Sequence, residues 1–354
     1  MINFELKKWV RPRMWDMKPY SSARDEFSGV ATAHIDANES PYNAELPHLD
    51  ASKQVLINRY PDPLQTKLKN SISEVCGIAV ETIFLGNGSD EAIDLLMRLA
   101  CEPNESEILI APPTYGMYAV SADINSVAVR EVPLLSNFQL NVPEILRQIQ
   151  PQTKIIFLCS PNNPTGNLMH EADLLTIITN FSGVVVIDEA YIDFSSRQSW
   201  AGKVLEFPNL VILRTFSKAW GLAGARLGMA IASPAIISFL NKIKPPYNIN
   251  TLTQAYVLEI LNIPEAYIAK KNLILENKEM LIKQLLKHPR IEHIYPSDAN
   301  FILVKVTDAN NLYHHLLEKG VVVRNRSQVQ MCEGCLRISI GNPHEIAQLL
   351  NAMA

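Results

Sequence analysis

Short apolar runs alternate with helical patterns between residues 83 and about 240, and this alternation limits the possible folds more than any other feature of the chain. Such alternation is typical of a parallel β-sheet whose strands are joined by crossover helices. Because the runs are continuously apolar, we expect both faces of the sheet to be covered. The predicted strands are Ile83–Leu85, Ile108–Ala111, Val127–Val132, Ile155–Cys159, Val184–Ile187, Leu210–Leu213 and Met229–Ala232.

The pattern changes after residue 246, which indicates a second domain in a chain of 354 residues. We predict an α/β protein with three parts: an N-terminal arm (1–32), a large αβα domain with a mostly parallel sheet (33–245), and a small α+β C-terminal domain (246–354). The arm is free to pack against the small domain. Further predicted elements are a helix near Leu64–Cys76, a helical region from about Leu252 to Lys287, strands at Phe301–Val306, Val321–Val323 and Leu336–Ile340, and helices near Asn310–Lys319 and at the C-terminus.

Charge and composition exclude several classes of function. A formal net charge of −4 gives no electrostatic reason to expect nucleic acid or an anionic membrane as a partner. No apolar run is long enough to span a bilayer, and the N-terminus lacks the apolar core of a signal peptide, so we expect a cytoplasmic protein. Cys332 and Cys335 have CxxC spacing, but no second pair completes a zinc site. We therefore expect reduced, structural cysteines and no metal.

Polar residues follow most of the predicted strands, at the edge where open parallel sheets bind ligands. The segments are GNGSDE after Ile83–Leu85, PPTYGMY after Ile108–Ala111, SPNNPTG after Ile155–Cys159 and DEAY after Val184–Ile187. Glycines before a helix let an anion approach free backbone N–H groups. A carboxylate such as Asp188 can keep a pyridine nitrogen protonated, although capping a helix is its simpler role.

The segment RTFSKAWGLAGARLG (214–228) places Lys218 just after a buried strand. Burial and a neighbouring cation favour the neutral amine, which is the form that attacks an aldehyde. Considered alone, the segment fits a solvated lysine in a glycine-rich turn equally well. Together, the strand-end groups provide a phosphate cradle, a ring stacker, a donor to a phenolic oxygen, a carboxylate and a lysine. This combination of groups describes one ligand, pyridoxal 5'-phosphate.

SPNNPTG, DEAY and SKAWGLAGARLG resemble the signature segments of fold-type I pyridoxal-phosphate aminotransferases. More narrowly, the chain is similar to the histidinol-phosphate aminotransferases, because NRYPDP, GNGSDE, PPTYGMY, CSPNNPTG, DEAYIDF, VVVRN and CLRISIG occur in that family's order. The resemblance extends from about residue 20 to the final helix. Two mild departures are Trp220, where phenylalanine is common, and Ala225, where leucine is common.

The resemblance implies roles for individual residues around the cofactor ring. Lys218 would form the Schiff base and move the proton, Asp188 would pair with the pyridine nitrogen, and Tyr115 would stack on the ring. Tyr191 and Asn163 would hold the phenolic oxygen. We choose Asn163 over its neighbour in the Asn-Asn pair because it directly precedes Pro-Thr-Gly.

The same resemblance implies groups that bind the two phosphates. The cofactor phosphate would be held by the backbone amides of Gly88 and Ser89, by Ser217 and Arg226, and by Tyr60 from a neighbouring subunit, which implies a homodimer with shared active sites. Arg324 and Arg337 would bind the phosphate of the substrate or a carboxylate of the second substrate, and Tyr20 would close over the same place. An inward-facing arginine in an apolar strand requires an anionic partner. Arg324 could instead lie at the surface.

The implied activity is transfer of an amino group between L-histidinol phosphate and 2-oxoglutarate, a step of histidine biosynthesis. Two alternatives share the cofactor residues: an aromatic-amino-acid aminotransferase and a threonine-phosphate decarboxylase-like lyase. A regulator that only senses the cofactor is a further alternative, but the first 30 residues are too short for a DNA-binding domain. Fold does not decide among these activities.

Overall fold

The structure is a computed structural model that describes Met14, residues 31–43 and residues 56–353. The strands in these residues are β1 (Ala33–His34), β2 (Ile83–Asn87), β3 (Glu107–Ile110), β4 (Ala128–Glu131), β5 (Thr153–Cys159), β6 (Val184–Asp188), β7 (Leu210–Thr215), β8 (Leu227–Ala232), β9 (Ile291–Ile294), β10 (Phe301–Val306), β11 (Val321–Val322), β12 (Arg324–Asn325) and β13 (Cys335–Ser339). The helices are α1 (Thr66–Cys76), α2 (Ser89–Ala100), α3 (Met117–Ile124), α4 (Val142–Gln148), α5 (Glu171–Asn180), α6 (Pro234–Ile243), α7 (Thr251–Leu261), α8 (Pro264–Leu285), α9 (Ala309–Glu318) and α10 (Pro343–Met353).

The seven strands predicted for the large sheet are all present and form one sheet in the order β2-β8-β7-β6-β5-β3-β4. Strand β8 runs antiparallel to both of its neighbours, β2 and β7, whereas the other pairs are parallel. The predicted fold class, an α/β protein with a mostly parallel sheet, is therefore confirmed.

Both faces of the large sheet are buried, because successive apolar side chains of each strand enter different cores. In β5, Ile156 and Leu158 belong to one core and Ile155 and Phe157 to the other. All four side chains are at most 1% exposed. Continuous apolar runs are required by this arrangement, since a polar residue on either face would lose its hydration.

The C-terminal region has a sheet of its own, with antiparallel strands in the order β12-β13-β10-β9. The sequence reading did not predict β9, whose side chains are only partly buried or exposed. Strand β1, which the sequence division placed in the large domain, pairs in parallel with β11 of the C-terminal region. The domain boundaries themselves stay predictions.

Two predicted elements differ from the observed ones. The helical region expected over residues 252–287 is divided into α7 and α8, which are separated at Asn262 and Ile263. Proline lacks an N–H group and is favoured in the first turn of a helix, so Pro264 begins α8 rather than continuing α7. The strand expected over residues 321–323 ends at Val322, and Arg324 begins a separate strand in the other sheet. No helix in the described part of the chain has the length and apolar character needed to cross a membrane.

Candidate active site

A cavity of about 390 Å³ lies between the carboxyl ends of β5, β6 and β7 and the strands β12 and β13. Parallel strands bring residues that are far apart in sequence to this common edge. The residues that line the cavity are Asp36, Ala37, Asn38, Glu39, Gly88, Ser89, Asp90, Tyr115, Cys159, Asn163, Asp188, Ala190, Tyr191, Thr215, Ser217, Lys218, Ala223, Gly224, Arg226, Arg324 and Arg337.

Lys218 is half-buried in this cavity, three residues after the end of β7. Its Nζ donates a hydrogen bond of 2.9 Å to the carbonyl oxygen of Ala37 and lies 5.9 Å from the centre of the Tyr191 ring. Burial, followed by the charge of Arg337, lowers the pKa of the amine from 10.5 to about 8. A substantial neutral fraction near neutral pH makes this amine a suitable nucleophile.

Asp188 ends β6 and is 3% exposed. Its Oδ2 accepts a hydrogen bond of 2.7 Å from the Tyr118 hydroxyl, and its Oδ1 accepts one of 3.1 Å from the Ala190 N–H. Burial raises the pKa of this carboxyl to about 6, against the opposing effect of these two donors. Asp188 therefore both accepts the capping hydrogen bond from Ala190 and lines the cavity. Tyr118 was not predicted as a site residue, although PPTYGMY contains a second tyrosine.

The start of α2 forms one end of the cavity. Gly88, with φ of +73°, precedes the helix, and no side chain caps it. A Cβ on Gly88 would lie 2.7 Å from Nη2 of Arg226, and one on Gly228 would lie 2.2 Å from the Ser89 nitrogen. Gly228 requires glycine because the backbone of Ser89 is in the way, and Gly88 requires it because of its positive φ. The N–H groups at the helix start can then be approached by an anion.

The backbone amide of Gly88, which was expected in the phosphate cradle, has a partner in the protein. The Gly88 N–H donates to the carbonyl oxygen of Arg226 at 3.0 Å, so it is not directed at a ligand. The bond forms because Gly88 and Leu227 are bridged beside the sheet. Gly88 lines the cavity together with Ser89. The N–H groups that a helix start leaves without intrahelical partners belong here to the first turn of α2, which begins at Ser89.

Ser217 and Arg226 both line this end of the cavity, as expected. Ser217 is 7% exposed, and its N–H donates to Oγ1 of Thr215 at 3.1 Å. Arg226 has a left-handed backbone with φ of 52°, and its Nη2 lies 3.8 Å from Oδ2 of Asp90. A hydroxyl, a guanidinium and a helix N-terminus together suit a phosphate group.

Tyr115 and Asn163 also line the cavity. The Tyr115 hydroxyl donates to Oδ1 of Asp90 at 3.0 Å, and its ring packs edge-on against Tyr118. Asn163 lines the cavity, whereas Asn162 is fully buried behind it, where its amide nitrogen donates to the Pro113 carbonyl oxygen at 2.9 Å. The structure thus places the asparagine chosen from the sequence in the cavity.

Two buried arginines from the antiparallel sheet form a further wall of the cavity. Arg324 of β12 and Arg337 of β13 are direct cross-strand neighbours and are 8% and 5% exposed. Arg337 donates to Oδ1 of Asn163 at 2.7 Å and to the carbonyl oxygen of Asp36 at 2.5 Å. Since like charges directly opposite one another are destabilising, the pair suits a shared anion. Arg324 is not a surface residue.

Of the remaining three expected site residues, one lines the cavity, one does not, and one is outside the described residues. Tyr191 lies in the cavity wall and is 4% exposed, and its hydroxyl accepts a hydrogen bond from the Asn38 amide at 3.1 Å. Tyr60 is 80% exposed, is not among the residues lining this cavity, and stacks on Tyr247 with ring centres 4.4 Å apart. Tyr20 lies outside the described residues.

The segment 36–39 was missed as part of the site, although it runs across the cavity beside Lys218. Its carbonyl groups accept from Lys218 and Arg337, and its Asn38 side chain contacts Tyr191. We predicted no site residue in this segment from the sequence. The positive φ of Asn38, 54°, is common for asparagine, but this signal is too weak to identify a site.

These groups fit an aldehyde cofactor that also carries a phosphate and a basic ring nitrogen: a lysine with a lowered pKa, a buried carboxylate and a helix start cleared by glycine. Residues 28–353 match the family described as aminotransferase class I and II. The site and the match together define a pyridoxal-phosphate-dependent protein of fold type I.

Relatives over the full length support the same assignment. The chain is 52% identical to a histidinol-phosphate aminotransferase of Parabacteroides distasonis, with 99% of this chain and 98% of the relative covered. It is 50% identical to that of Flavobacterium psychrophilum, with 100% and 99% covered. A crystal structure of histidinol-phosphate aminotransferase from Sinorhizobium meliloti in complex with pyridoxal-5'-phosphate has the same fold, with a TM-score of 0.87, 21% identity and 97% and 96% of the two chains covered.

The chain therefore belongs to the class I and class II aminotransferase family. It is an enzyme that uses pyridoxal 5'-phosphate to transfer amino groups.

Proposed function

We propose that this aminotransferase transfers the amino group between L-histidinol phosphate and 2-oxoglutarate, giving imidazole-acetol phosphate and glutamate in histidine biosynthesis. The observation that carries the proposal is the pair of buried arginines, Arg324 and Arg337, which line the same cavity as the start of α2 but belong to the other sheet. One anion site at α2 suits the cofactor phosphate, and the second suits an anionic substrate. The names of the relatives at 52% and 50% identity support a phosphorylated one.

Lys218 is the residue to which we assign the proton transfer. Its amine is anchored at 2.9 Å from the Ala37 carbonyl oxygen, and its pKa of about 8 lies close to working pH. A group whose pKa is near the operating pH can both accept and return a proton. We propose that Lys218 would hold the cofactor through its amine and would move the proton at the substrate carbon.

Asp188 is the residue that would hold the cofactor ring in its reactive form. When bound, pyridoxal phosphate supplies an electron sink for the bond that breaks at the substrate carbon. The hydrogen bonds from Tyr118 and Ala190 favour the ionised carboxylate, and that charge favours a proton on the nearby ring nitrogen. Tyr115 would lie against the ring, and Asn163 would donate its amide N–H to the phenolic oxygen.

The phosphate of the cofactor would be bound by Ser217, Arg226 and the first N–H groups of α2. We also propose a homodimer in which Tyr60 reaches the phosphate of the partner's site. In support, Tyr60 is 80% exposed and stacks on Tyr247, which is 43% exposed. An aromatic pair in water is typical of a surface that another chain covers.

Tyr20 would close over the substrate from the N-terminal arm. A reducing cytoplasmic location agrees with the state of the cysteines, because all five are free. Cys332 and Cys335 are both at most 1% exposed, and burial raises the pKa of each thiol, which suits a structural role.

The test is a comparison of kcat/KM for histidinol phosphate, phenylalanine and threonine phosphate, with 2-oxoglutarate as the acceptor. We expect histidinol phosphate to be preferred, with glutamate formed in equal amount and no release of CO₂. A preference for phenylalanine would replace the substrate assignment with that of an aromatic aminotransferase. Release of CO₂ from threonine phosphate without glutamate formation would make the enzyme a lyase.

A further inference from the structure

We propose that Asn38 is a positioning residue that directs the hydroxyl hydrogen of Tyr191 into the cavity, towards the phenolic oxygen of the cofactor. In this arrangement Ser339 holds the side-chain amide of Asn38 in the orientation in which its nitrogen donates to Tyr191. The inference rests on the proposed place of Tyr191 beside the cofactor and not on the identity of the substrate. Segment 36–39, which was not predicted as part of the site, would then have a function through Asn38.

Asn38 is fixed from both sides of its backbone. Its N–H donates to Oγ of Ser339 at 2.8 Å, and its carbonyl oxygen accepts from the Asn300 amide at 3.0 Å. All three residues are at most 3% exposed. The left-handed backbone of Asn38, with φ of 54°, directs its side chain between Ser339 and Tyr191. These contacts therefore hold the Asn38 side chain in its position between Ser339 and Tyr191.

The orientation of the Asn38 amide follows from the serine. Because Oγ of Ser339 accepts from the Asn38 N–H, its own hydrogen is available for a different acceptor. That acceptor is Oδ1 of Asn38, at 2.9 Å. The opposite end of the amide, Nδ2, consequently faces the Tyr191 hydroxyl oxygen at 3.1 Å. An amide nitrogen can only donate, so the tyrosine oxygen is the acceptor in this bond.

The hydroxyl hydrogen of Tyr191 must then point away from Asn38. Tyr191 is 4% exposed and lines the cavity together with Asn163 and Lys218. A ligand oxygen in the cavity is the acceptor that this geometry provides for. Without the Asn38 donor, the hydroxyl could instead turn its hydrogen towards position 38.

Strand β13 orients both donors that we assign to the phenolic oxygen: Asn163 directly, and Tyr191 through Asn38. Arg337 and Ser339 are two residues apart and therefore lie on the same face of the strand. Arg337 donates to Oδ1 of Asn163, and Ser339 donates to Oδ1 of Asn38. In each asparagine this bond is accepted by Oδ1, so Nδ2 points away from β13. One strand of the antiparallel sheet thus orients two amides on the cofactor side.

Charged and titratable groups surround Tyr191. Their influence on the tyrosine must be distinguished from the effect of the Asn38 hydrogen bond. The pKa of the tyrosine is raised by burial, lowered by Arg337 of β13 and by the Asn38 bond, and raised by Cys159 of β5 and Asp188 of β6. The Lys218 amine lies 5.9 Å from the ring centre. These groups remain in place when residue 38 is changed, so a double-mutant comparison isolates the hydroxyl.

The test uses the holoenzyme and follows the absorbance of the lysine-linked cofactor as pH is varied. A hydrogen bond to the phenolic oxygen favours its anionic form and lowers the pH midpoint. Asn38→Asp keeps the size and the Ser339 contact but replaces the donor with an acceptor. We expect its midpoint to rise by about one unit, since a hydrogen bond to a charged group is lost.

The same substitution is then made in Tyr191→Phe, which itself should have a raised midpoint. Without the hydroxyl, Asn38→Asp should shift the midpoint by less than half as much, because only the added charge remains. Equal shifts in both backgrounds, or an unchanged midpoint in Tyr191→Phe, would overturn the inference.

Ser339→Ala provides a second variant that needs no new charge. We expect a smaller upward shift that disappears in the Tyr191→Phe background. No shift, or the same shift in both backgrounds, would contradict the proposal. Asn300→Ala is the comparison variant, because it removes the bond to the carbonyl oxygen of Asn38 but leaves the Ser339 bond to Oδ1. Its midpoint should shift by less than that of Ser339→Ala, and an equal or larger shift would contradict the role given to Ser339. A failure of the substrate proposal is recognised separately, as normal titrations in an enzyme that does not turn over histidinol phosphate.

Discussion

The two walls of the cavity are built in different ways. The wall formed by the large sheet carries Asp188 and Lys218, which are placed by the ends of neighbouring parallel strands. The wall formed by the antiparallel sheet carries Arg324 and Arg337, which are placed by cross-strand pairing and by contacts to segment 36–39. Topology alone fixes the first wall, whereas the second depends on side-chain contacts between residues up to 301 positions apart.

The walls also differ in charge, and each alters the chemistry of the other. The large-sheet wall contains a buried carboxyl whose pKa is raised to about 6. The other wall contributes two buried guanidinium groups, of which Arg337 helps to lower the pKa of Lys218. We infer that the first wall performs the reaction and the second selects the substrate. Five predictions test this division.

The largest effect is expected for Lys218→Ala, which removes both the nucleophile and the proton carrier. We predict a fall in kcat of at least about 10⁴-fold and loss of the lysine-linked absorbance band. Lys218→Arg is the matched control, because it keeps the positive charge but cannot form the linkage. Retention of the band in either variant would show that Lys218 does not form the linkage to the cofactor.

A smaller but still large effect is expected for Asp188→Asn. Loss of the carboxylate would leave the ring nitrogen without its ionic partner, and kcat should fall by about 10²- to 10³-fold. Steady-state kinetics measure the change. The adjacent Glu189 is the control, because its carboxylate accepts instead from Ser199 and from the Trp200 N–H at 2.8 Å. If Glu189→Gln lowered kcat as much as Asp188→Asn, the role of Asp188 would be refuted.

Arg337→Ala should affect the substrate wall. Removing one partner of a buried, hydrogen-bonded ionic contact costs about 2–5 kcal/mol, so KM for the phosphorylated substrate should rise about 30-fold or more. The Kd of the cofactor, measured by titration of the apoenzyme, should change by less than about fivefold. Arg324→Ala should act in the same direction. Equal losses of substrate and cofactor binding would erase the distinction between the walls.

The coupling between the walls gives a prediction about pH. Only the neutral amine attacks an aldehyde, so the rate at which the apoenzyme captures pyridoxal phosphate should rise with pH and level off above about 8, the pKa of Lys218. Because the Arg337 charge disfavours the ammonium form, Arg337→Met should move this midpoint upward. Stopped-flow absorbance measures the rate. A midpoint that is unchanged in Arg337→Met would show that the walls are independent.

The smallest effect is expected at Tyr60. If it donates to the cofactor phosphate of the partner subunit, Tyr60→Phe should raise the Kd of the cofactor about fivefold, the worth of about 1 kcal/mol. Tyr247→Phe keeps the ring stack and should leave the Kd unchanged. Identical behaviour of the two variants would argue against a shared site, and sedimentation at several concentrations tests the dimer itself.

The difference between the walls also explains what the sequence could predict. The seven strands of the large sheet were predicted because continuous apolar runs have few alternatives, and Asp188 and Lys218 follow directly from the ends of two of them. Asn163, which was chosen over Asn162 for the phenolic oxygen, lines the cavity, whereas Asn162 does not. By contrast, the bond of the Gly88 amide to Arg226 joins two strand ends and has no signal in either segment.

The remaining misses arise from long-range contacts or from local competition. Asn38 contacts Ser339 and Tyr191, and nothing in a turn-rich loop specifies those partners. Tyr118 binds Asp188 from a helix that begins at Met117, so its direction depends on how that helix docks. The helical region 252–287 was divided because Pro264 stabilises a helix start more than it permits a continuous helix.

The central claim is that one lysine, at the end of β7, carries the cofactor. The most direct measurement is reduction of the holoenzyme with borohydride, followed by mass spectrometry of its peptides. We predict that the pyridoxyl group is found on the peptide containing Lys218, in one copy per chain. Modification of a different lysine, with Lys218 unlabelled, would contradict the account.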